Sequence, residues 1–440
     1  MRQNLLETYG RQLRVAEAYV AKNFEGKQVS NNTKLTTAVL LDNTNRWMTE
    51  SINESVATMR GDLGAWKKFC LNLTNIAVPS LIANDLVIVH PMTSYSGSVA
   101  YLKYVSKTNK GDVQVGDEFN SVFGLGDMTE GRKNFTSQAV VEALTAGQQK
   151  VAWTPVITSK DNGLVSYPYE FLDASGNPCA TQGTIDEDGT LHDVPADAAK
   201  VKYFYNQEYI PAKDLPTVGP EMVQIPLVAE PRRIAVKYDQ ITAFQAKTDY
   251  GFSLDKQIAE QACGELAYEI DTEIVDMLYK GAVAQGDKLE WSKTLPVGVS
   301  KFEHYNGFLE IVEQAKAIVY KRTRKFHPNY MVIGADVLPV LKFVNGFTAV
   351  KSAKMNGPYK VGDLDGMGVY VSPAIGDREF FFGLNGSDMM SSAGVYAPYM
   401  AIVPTQLLGL PDGTLAQGFS TWYAKALLNK SLLVNGEILD

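Results

Sequence analysis

Histidines are the first place to look for chemistry, and the chain has four: His90, His192, His304 and His327. A metal centre or proton relay needs two or three of them at close spacing, as on one turn of a helix. These lie far apart, and none sits in an HExxH-type motif. His90 follows an apolar stretch and precedes Pro91, which points to a structural role. The cysteines Cys70, Cys179 and Cys263 follow no zinc or redox spacing. An odd, sparse set suits a reducing compartment, and Cys263 reads as a small core residue. The glycine-rich GLGDMTEG at 124–131 invites a phosphate-cradling loop but lacks the lysine of a Walker A motif. No GxSxG elbow for a nucleophilic serine occurs. The acidic phrase IDEDGTLH at 185–192 has calcium-loop character without the distal glutamate of an EF-hand, and its Asp188-Gly189 pair reads first as a hairpin turn. No catalytic residue, cofactor or metal is expected.

The carboxylates are concentrated elsewhere. Between Ser253 and Ala282 stand Asp255, Glu260, Glu265, Glu269, Asp271, Glu273 and Asp276, against only Lys256 and Lys280. The same proline-free stretch carries Leu254, Ile258, Ala262, Leu266, Ile270, Ile274 and Leu278 at helical spacing. Ser253 suits an N-cap and Gly281 a stop. The spacing predicts one helix of about thirty residues, about 45 Å long, which needs a partner along most of its extent. Its acidic face is either solvated or turned toward basic segments of a neighbouring subunit.

The rest of the chain must support that helix. Its 440 residues suggest two to four domains, and 45% hydrophobic with 20% charged residues is a globular profile. A formal charge of −8 argues against a nucleic-acid-binding surface spread over the whole molecule. The N-terminus lacks the apolar core of a secretory signal, and no apolar run is long enough to span a bilayer.

Residues 1–77 read as helices. Leu5, Tyr9, Leu13, Ala16 and Val20 form one stripe; Leu41, Met48, Ile52, Val56 and Met59 form a second; Leu63, Trp66 and Phe69 mark a third. A polar linker at 26–33 suggests an arm with hinges. Strand character follows at Leu86–Val89 and at Val99, Tyr101, Lys103 and Val105, with Ile234, Val236 and Tyr238 as the expected return strand. The segment between is too long for a structureless loop. Tyr167, Tyr169, Tyr203, Tyr205 and Tyr209 mark it as a small β-rich insertion, its tyrosines forming a core or, in the rival reading, stacking on sugars. After the long helix, Phe308, Ile311, Val312, Ala315, Ile318 and Val319 predict a helix closed by Lys321, Arg322, Arg324 and Lys325. Strands are expected at Tyr330–Ile333, Gly368–Val371, Phe380–Phe382, Gly394–Val403 and within 419–434, the last two returning to the sheet on the long helix. The class is α+β.

Five phrases in this order resemble a known family: VHPMTSYSGSVAYLKY (89–104), VFGLGDMTEG (122–131), AYEIDTEIVDML (267–278), FGLNGSDMMSSAGVYAPYMAIVP (382–404) and GFSTWYAKALLN (418–429). They are similar to the major capsid proteins of tailed bacteriophages, with the Hong Kong 97 fold, in the T-even-like myovirus branch. The resemblance implies an N-terminal helical arm (1–77), a peripheral domain (78–93, the spine helix at 248–283, and 395–440), an E-loop hairpin (94–111 and 223–247), an inserted β-rich domain (112–222) and an axial domain (284–394). It also implies hexameric and pentameric capsomers enclosing double-stranded DNA without reading its sequence. The shell is assembled in the bacterial cytoplasm, with portal, vertex, scaffold and decoration proteins as further partners and no membrane. Within that frame Arg232 and Arg233 are expected to meet Glu265, Glu269 and Glu273 of a neighbouring spine helix. Alternatives are an encapsulin-like compartment shell, a capsid vertex protein and, from another class, a carbohydrate-binding adhesin. Relatives often lose a leading segment to a maturation protease. The first residues here are neither strongly acidic nor low-complexity, so the arm is expected to be kept, and the intact mass of the particle-borne protein checks this.

Overall fold

A computed structural model of the chain describes residues 2–23, 29–54, 78–79, 81–109, 114–116, 139–145, 148–152, 155, 169–186, 188–204, 217–249, 251, 254–323, 325–350, 357–405, 408–410 and 413–439. The expectations for Val56, Met59, Leu63, Trp66 and Phe69, for 124–131, and for Cys70, Tyr167, Tyr205, Tyr209, Ser253 and Arg324 lie outside these residues. The chain divides into two units, Met1–Val99 with Gln224–Asp440, and Ala100–Val223.

In the first unit, helices α1 (Arg2–Thr8) and α2 (Gly10–Asn23) pack on α3 (Asn31–Glu54). The predicted stripe is the contact: Tyr9 and Leu13 meet Ala38 and Leu41. Ser30 caps α3 by accepting the Thr33 N–H at 3.1 Å. The sequence suggests an arm with hinges here, but α3 is anchored within its own chain. Asn43 is buried, and its side-chain amide donates to the Met92 and Tyr399 carbonyls at 2.8 and 2.7 Å. Leu40 packs with Val78 and Ala401 beside it, so α3 is fastened to its own chain.

Behind α3, the short helix α4 (Ala83–Leu86) leads into β1 (Ile88–Val89). Strand β2 (Ser96–Ser106) runs across the unit boundary into the second unit. That unit holds a three-stranded sheet in the order β3 (Ala139–Ala143), β7 (Lys200–Phe204), β4 (Tyr169–Leu172), and a hairpin of β5 (Thr184–Ile185) and β6 (Leu191–His192). Its core is Val140, Phe171, Ile185, Val201 and Tyr203. Tyr203 is fully buried and donates to Glu142 at 2.9 Å, and Tyr169 packs partly buried against the same core, so neither is a sugar platform. Gly189 takes the positive φ of the predicted turn. The Asp188 carboxylate is occupied by Lys150 at 2.7 Å and by Thr190, and Asp186 faces His192 at 2.8 Å. The calcium reading is set aside on that geometry. Among the described residues no three metal-capable side chains converge.

Strand β8 (Val218–Val228) pairs with β2, and only Ala229 separates it from β9 (Glu230–Asp239). This corrects the expected pairing. Strand β9, with Ile234 and Val236, lies along its full length against β18 (Thr414–Leu427), from Glu230↔Tyr423 to Asp239↔Thr414. Both β8 and β9 alternate, and periodicity alone does not say which of two consecutive strands takes a given partner.

Helix α5 (Gln240–Asp249) precedes α6 (Leu254–Val283), the predicted long helix. Gly281 is not its stop. A Cβ there would lie 2.8 Å from Leu427 and 3.1 Å from Leu433, so the glycine admits those side chains. Beyond α6 come β10 (Lys288–Ser292), α7 (Lys301–Asn306), α8 (Phe308–Thr323), β11 (Tyr330–Ile333), α9 (Leu338–Leu341), β12 (Phe347–Ala349), β13 (Tyr359–Leu364), β14 (Met367–Val371), β15 (Glu379–Gly383), β16 (Gly394–Pro404), β17 (Leu408–Gly409) and, after β18, β19 (Val434–Leu439).

These strands form two sheets. One runs β1, β16, β18, β17, with β9 also paired to β18; the other runs β10, β19, β15, β11, β14, β13, β12. The C-terminal segment therefore divides: β16 and β18 serve the first sheet, as expected, but β19 joins the second. Helix α6 ties the two together. Its Ala259, Ala262, Cys263 and Leu266 pack on Ile402 and Phe419 of the five-stranded sheet. Its Ile270, Ile274, Val275 and Leu278 enter the main core with Phe380, Phe381 and Phe382 of β15 and the predicted apolar face of α8. The FFF run is buried throughout because β15 is an interior strand covered on both faces.

Candidate assembly surface on the long helix

The acidic residues of α6 sort by helical angle into three groups. Asp271 is buried, and its carboxylate accepts the backbone N–H groups of Ile82 and Ala83 at 3.2 and 2.9 Å, capping α4. The sequence reading counted Asp271 on the acidic face; the signal it passed over is spacing, residue 271 being four from Ala267, three from Ile274 and seven from Leu278, on the apolar stripe.

Glu273 is a hub. Arg232 donates from Nε to Oε1 at 2.9 Å and from Nη2 to Oε2 at 3.1 Å; Tyr423 Oη and Lys425 Nζ each reach Oε2 at 2.8 Å. Tyr423 and Lys425 share a face of β18 because they are two residues apart. Arg232 stands opposite Thr421 on β9, diagonal to Tyr423, with its guanidinium 5.4 Å from the tyrosine ring centre. Burial pushes the Glu273 carboxyl up, but the bonds from Arg232, Lys425 and Tyr423 outweigh it and hold its pKa at about 2. The same bond to Glu273 raises the Arg232 guanidinium above its ordinary value against the opposing effect of burial. Burial, with Glu273 next to it, raises the Tyr423 hydroxyl too. Arg232 is thus engaged with the long helix of its own chain, where the sequence reading placed its partner on a neighbour. Spacing showed the two charges but not that β9 folds back beside α6.

The third group faces outward. Glu265 and Glu269, one turn apart, are exposed, and among the described residues neither has an ion-pair or hydrogen-bond partner. Asp276 is paired with Lys280 at 2.7 Å. Arg233 points to the other face of β9, its guanidinium 5.7 Å from the Trp422 ring centre.

A second surface feature went unmarked in the sequence. The connection from β10 to α7 reads KTLPVGVSKF, with Leu295, Val299 and Phe302 exposed and Val297 at 105% relative exposure. It is firmly framed. The Lys293 N–H donates to the Leu439 carbonyl at 2.8 Å, and Val299 closes a turn on Pro296 at 3.3 Å with Gly298 at φ +90°. Ser300 and Glu303 form a reciprocal cap at the start of α7. His304 donates to the Ser292 carbonyl at 2.9 Å and stacks on Trp291 with 4.9 Å between ring centres.

The described residues therefore offer packed cores, firmly held ion pairs and exposed contact surfaces. Comparison with known families gives this architecture its place. The family model described as Major capsid protein Gp23 matches residues 63–438. The chain belongs to that family. It is similar to the major capsid protein of Enterobacteria phage T4, at 21% identity over 400 residues, covering 80% of this chain and 73% of that protein. The major capsid protein of Enterobacteria phage T6 is 21% identical over 396 residues, covering 80% and 76%. Among solved structures, a chain of Microbacterium phage Oxtober96 aligns with a TM-score of 0.39 at 13% identity, over 82% of this chain and 90% of that one. One of Mycobacterium phage Bobi aligns with a TM-score of 0.37 at 12% identity, over 72% and 100%. The chain is a major capsid protein of a tailed phage, a structural component of the virion that functions in an oligomeric shell. The compartment shell, vertex protein and adhesin give way to this reading. Among the described residues no helix is long and apolar enough to cross a membrane. The family match begins at residue 63, so α1, α2 and α3 lie outside it.

Proposed function

We propose that this capsid protein forms hexameric and pentameric capsomers of an icosahedral head in the Hong Kong 97 manner, enclosing double-stranded DNA without sequence readout. The carrying observation is the Gp23 family match across 63–438. The architecture is compatible with it: a long helix serving two sheets, a two-stranded ribbon of β2 and β8, and a separate unit at Ala100–Val223. In this assignment α6 is the spine of the peripheral domain, the ribbon is the E-loop, the residues within 112–222 are an insertion, and 284–394 forms most of the axial domain. Assembly takes place in the host cytoplasm. Portal, vertex, scaffold and decoration proteins are its further partners, and the subunit itself performs no catalysis. A formal charge of −8 favours a shell that does not adhere to the packaged DNA.

Electron microscopy with light scattering on the purified protein tests this. Rings, tubes or closed shells are the expected result. A monomer that stays monomeric at high concentration and with a scaffold protein supplied would overturn it.

A further inference from the structure

Helix α6 contains two interior glycines, and only one is accounted for inside the chain. Gly281 gives room to Leu427 and Leu433, whereas a Cβ on Gly264 would meet nothing within 4 Å among the described residues. A mid-helix glycine lowers stability relative to alanine. Packing among the described residues does not require it, which leaves the backbone at Gly264 open to a close approach from outside. Gly264 is exposed, and with Gln261, Glu265 and Tyr268 it occupies positions i, i+3, i+4 and i+7, the four-residue outline of a hole that accepts a knob, its Tyr268 corner backed by Gly357 of the same chain. Glu269 continues the same face.

The β10–α7 connection supplies the knob. Val297 stands at its apex on a turn closed by Pro296 and Val299, and no charged residue interrupts it between Lys293 and Lys301. Around it lie exposed bases. Lys301 Nζ sits 5.7 Å from the Phe343 ring centre, and Lys342 precedes that phenylalanine. Among the described residues, Lys293, Lys301 and Lys342 have no acidic partner within ion-pair distance, and Glu265 and Glu269 have no basic one. The chain thus carries an apolar knob with an unpaired basic rim, and a hole with an unpaired acidic rim. They do not meet each other within one subunit.

We propose that the 293–302 connection of one subunit seats on α6 of a second copy, with Val297 over Gly264 and the lysine rim facing Glu265 and Glu269. This rests on the shell-forming function above and names the surfaces that serve it. Charge complementarity selects the occupant and fixes its orientation, while the apolar contact holds it. The two surfaces differ, so the contact is head-to-tail: each copy offers one face and fills another, and the arrangement propagates into a ring or sheet.

The test uses the full chain and reads assembly by light scattering and electron microscopy, with thermal melting of the unassembled subunit as the control for folding. Val297→Asp and Gly264→Leu are each expected to cut the assembled fraction about thirty-fold while melting stays near wild type. Gly264→Ala is expected to raise the melting temperature of the free subunit. Lys301→Glu with Lys342→Glu is expected to impair assembly, and adding Glu265→Lys with Glu269→Lys to restore it. Wild-type assembly matched by V297D and G264L, or failure of the paired charge reversal to restore it, overturns this contact alone. Wild-type protein that never assembles removes the shell-forming function and this contact with it.

Discussion

Glu273→Ala is expected to destabilise the subunit by about 2 kcal/mol, read as a lower midpoint in urea unfolding. Removing one member of a well-buried ion network costs about 3–5 kcal/mol, and the partial exposure of this one scales that down. The loss comes from what remains: the Lys425 ammonium and the Tyr423 hydroxyl lose their carboxylate acceptor, and the Arg232 guanidinium keeps only the longer 3.3 Å contacts to Glu230 and the Pro231 carbonyl. The effect also carries a pH signature. A carboxyl held at about 2 in the folded protein, against about 4.3 when unfolded, contributes stability that is complete above the unfolded value. That contribution is lost as pH falls from about 4.5 toward 2. Wild-type protein should therefore lose stability over that window more steeply than Glu273→Gln, whose side chain does not titrate. Parallel acid limbs for the two would show that Glu273 is not the hub described here. Because Arg232 lies on β9 while Tyr423 and Lys425 lie on β18, the same substitution loosens the five-stranded sheet from the helix that carries Gly264.

Gly334→Ala is the second large effect, about 3 kcal/mol of destabilisation. Gly334 follows β11 directly. A Cβ there would overlap the backbone carbonyl oxygens of Gly376 and Asp377, and backbone yields far less readily than a flexible side-chain end. Nor is the facing loop free to retreat. The Gly334 N–H donates to the Glu379 carbonyl at 2.8 Å, the Asp336 N–H to that of Asp377 at 2.9 Å, and the Ser372 N–H to that of Ile333 at 3.1 Å. Moving the loop breaks backbone bonds beside the fully buried β11. Equilibrium unfolding in urea reads the result, and a wild-type midpoint would contradict the geometry. The contrast with Gly264→Ala is informative: the same chemical change, in the same protein, is expected to have opposite signs at a crowded glycine and an open one.

The long helix, the amphipathic α8 and the strands expected at 330–333, 368–371 and 380–382 were legible because local periodicity and burial agree in each. Pairing was not. Strands β8 and β9 alternate in the same way, and only the folded register shows one with β2 and the other with β18. The acidic face of α6 illustrates a different limit. Asp271 lies on the apolar stripe and its inward role follows from spacing, but Glu273 becomes a hub only because Arg232, Tyr423 and Lys425 arrive from strands far along the chain. The apolar connection at 293–302 has no periodicity to read. Its significance appears when Val297 proves exposed on a turn that its neighbours hold in place.

The position of β19 has a consequence for how the subunit is made. Residues 434–439 lie between β10, which they join in parallel, and β15, which they join antiparallel. Residues 288–292 and 379–383 leave the ribosome before the strand that must fill the gap between them. Until it arrives, each presents an open backbone edge able to pair with the wrong chain. Because the Lys293 N–H is bonded to the Leu439 carbonyl, the base of the 293–302 connection is also completed only by that late strand. In the contact proposed above, a nascent chain thus lacks the finished base of its knob until this last strand closes the sheet.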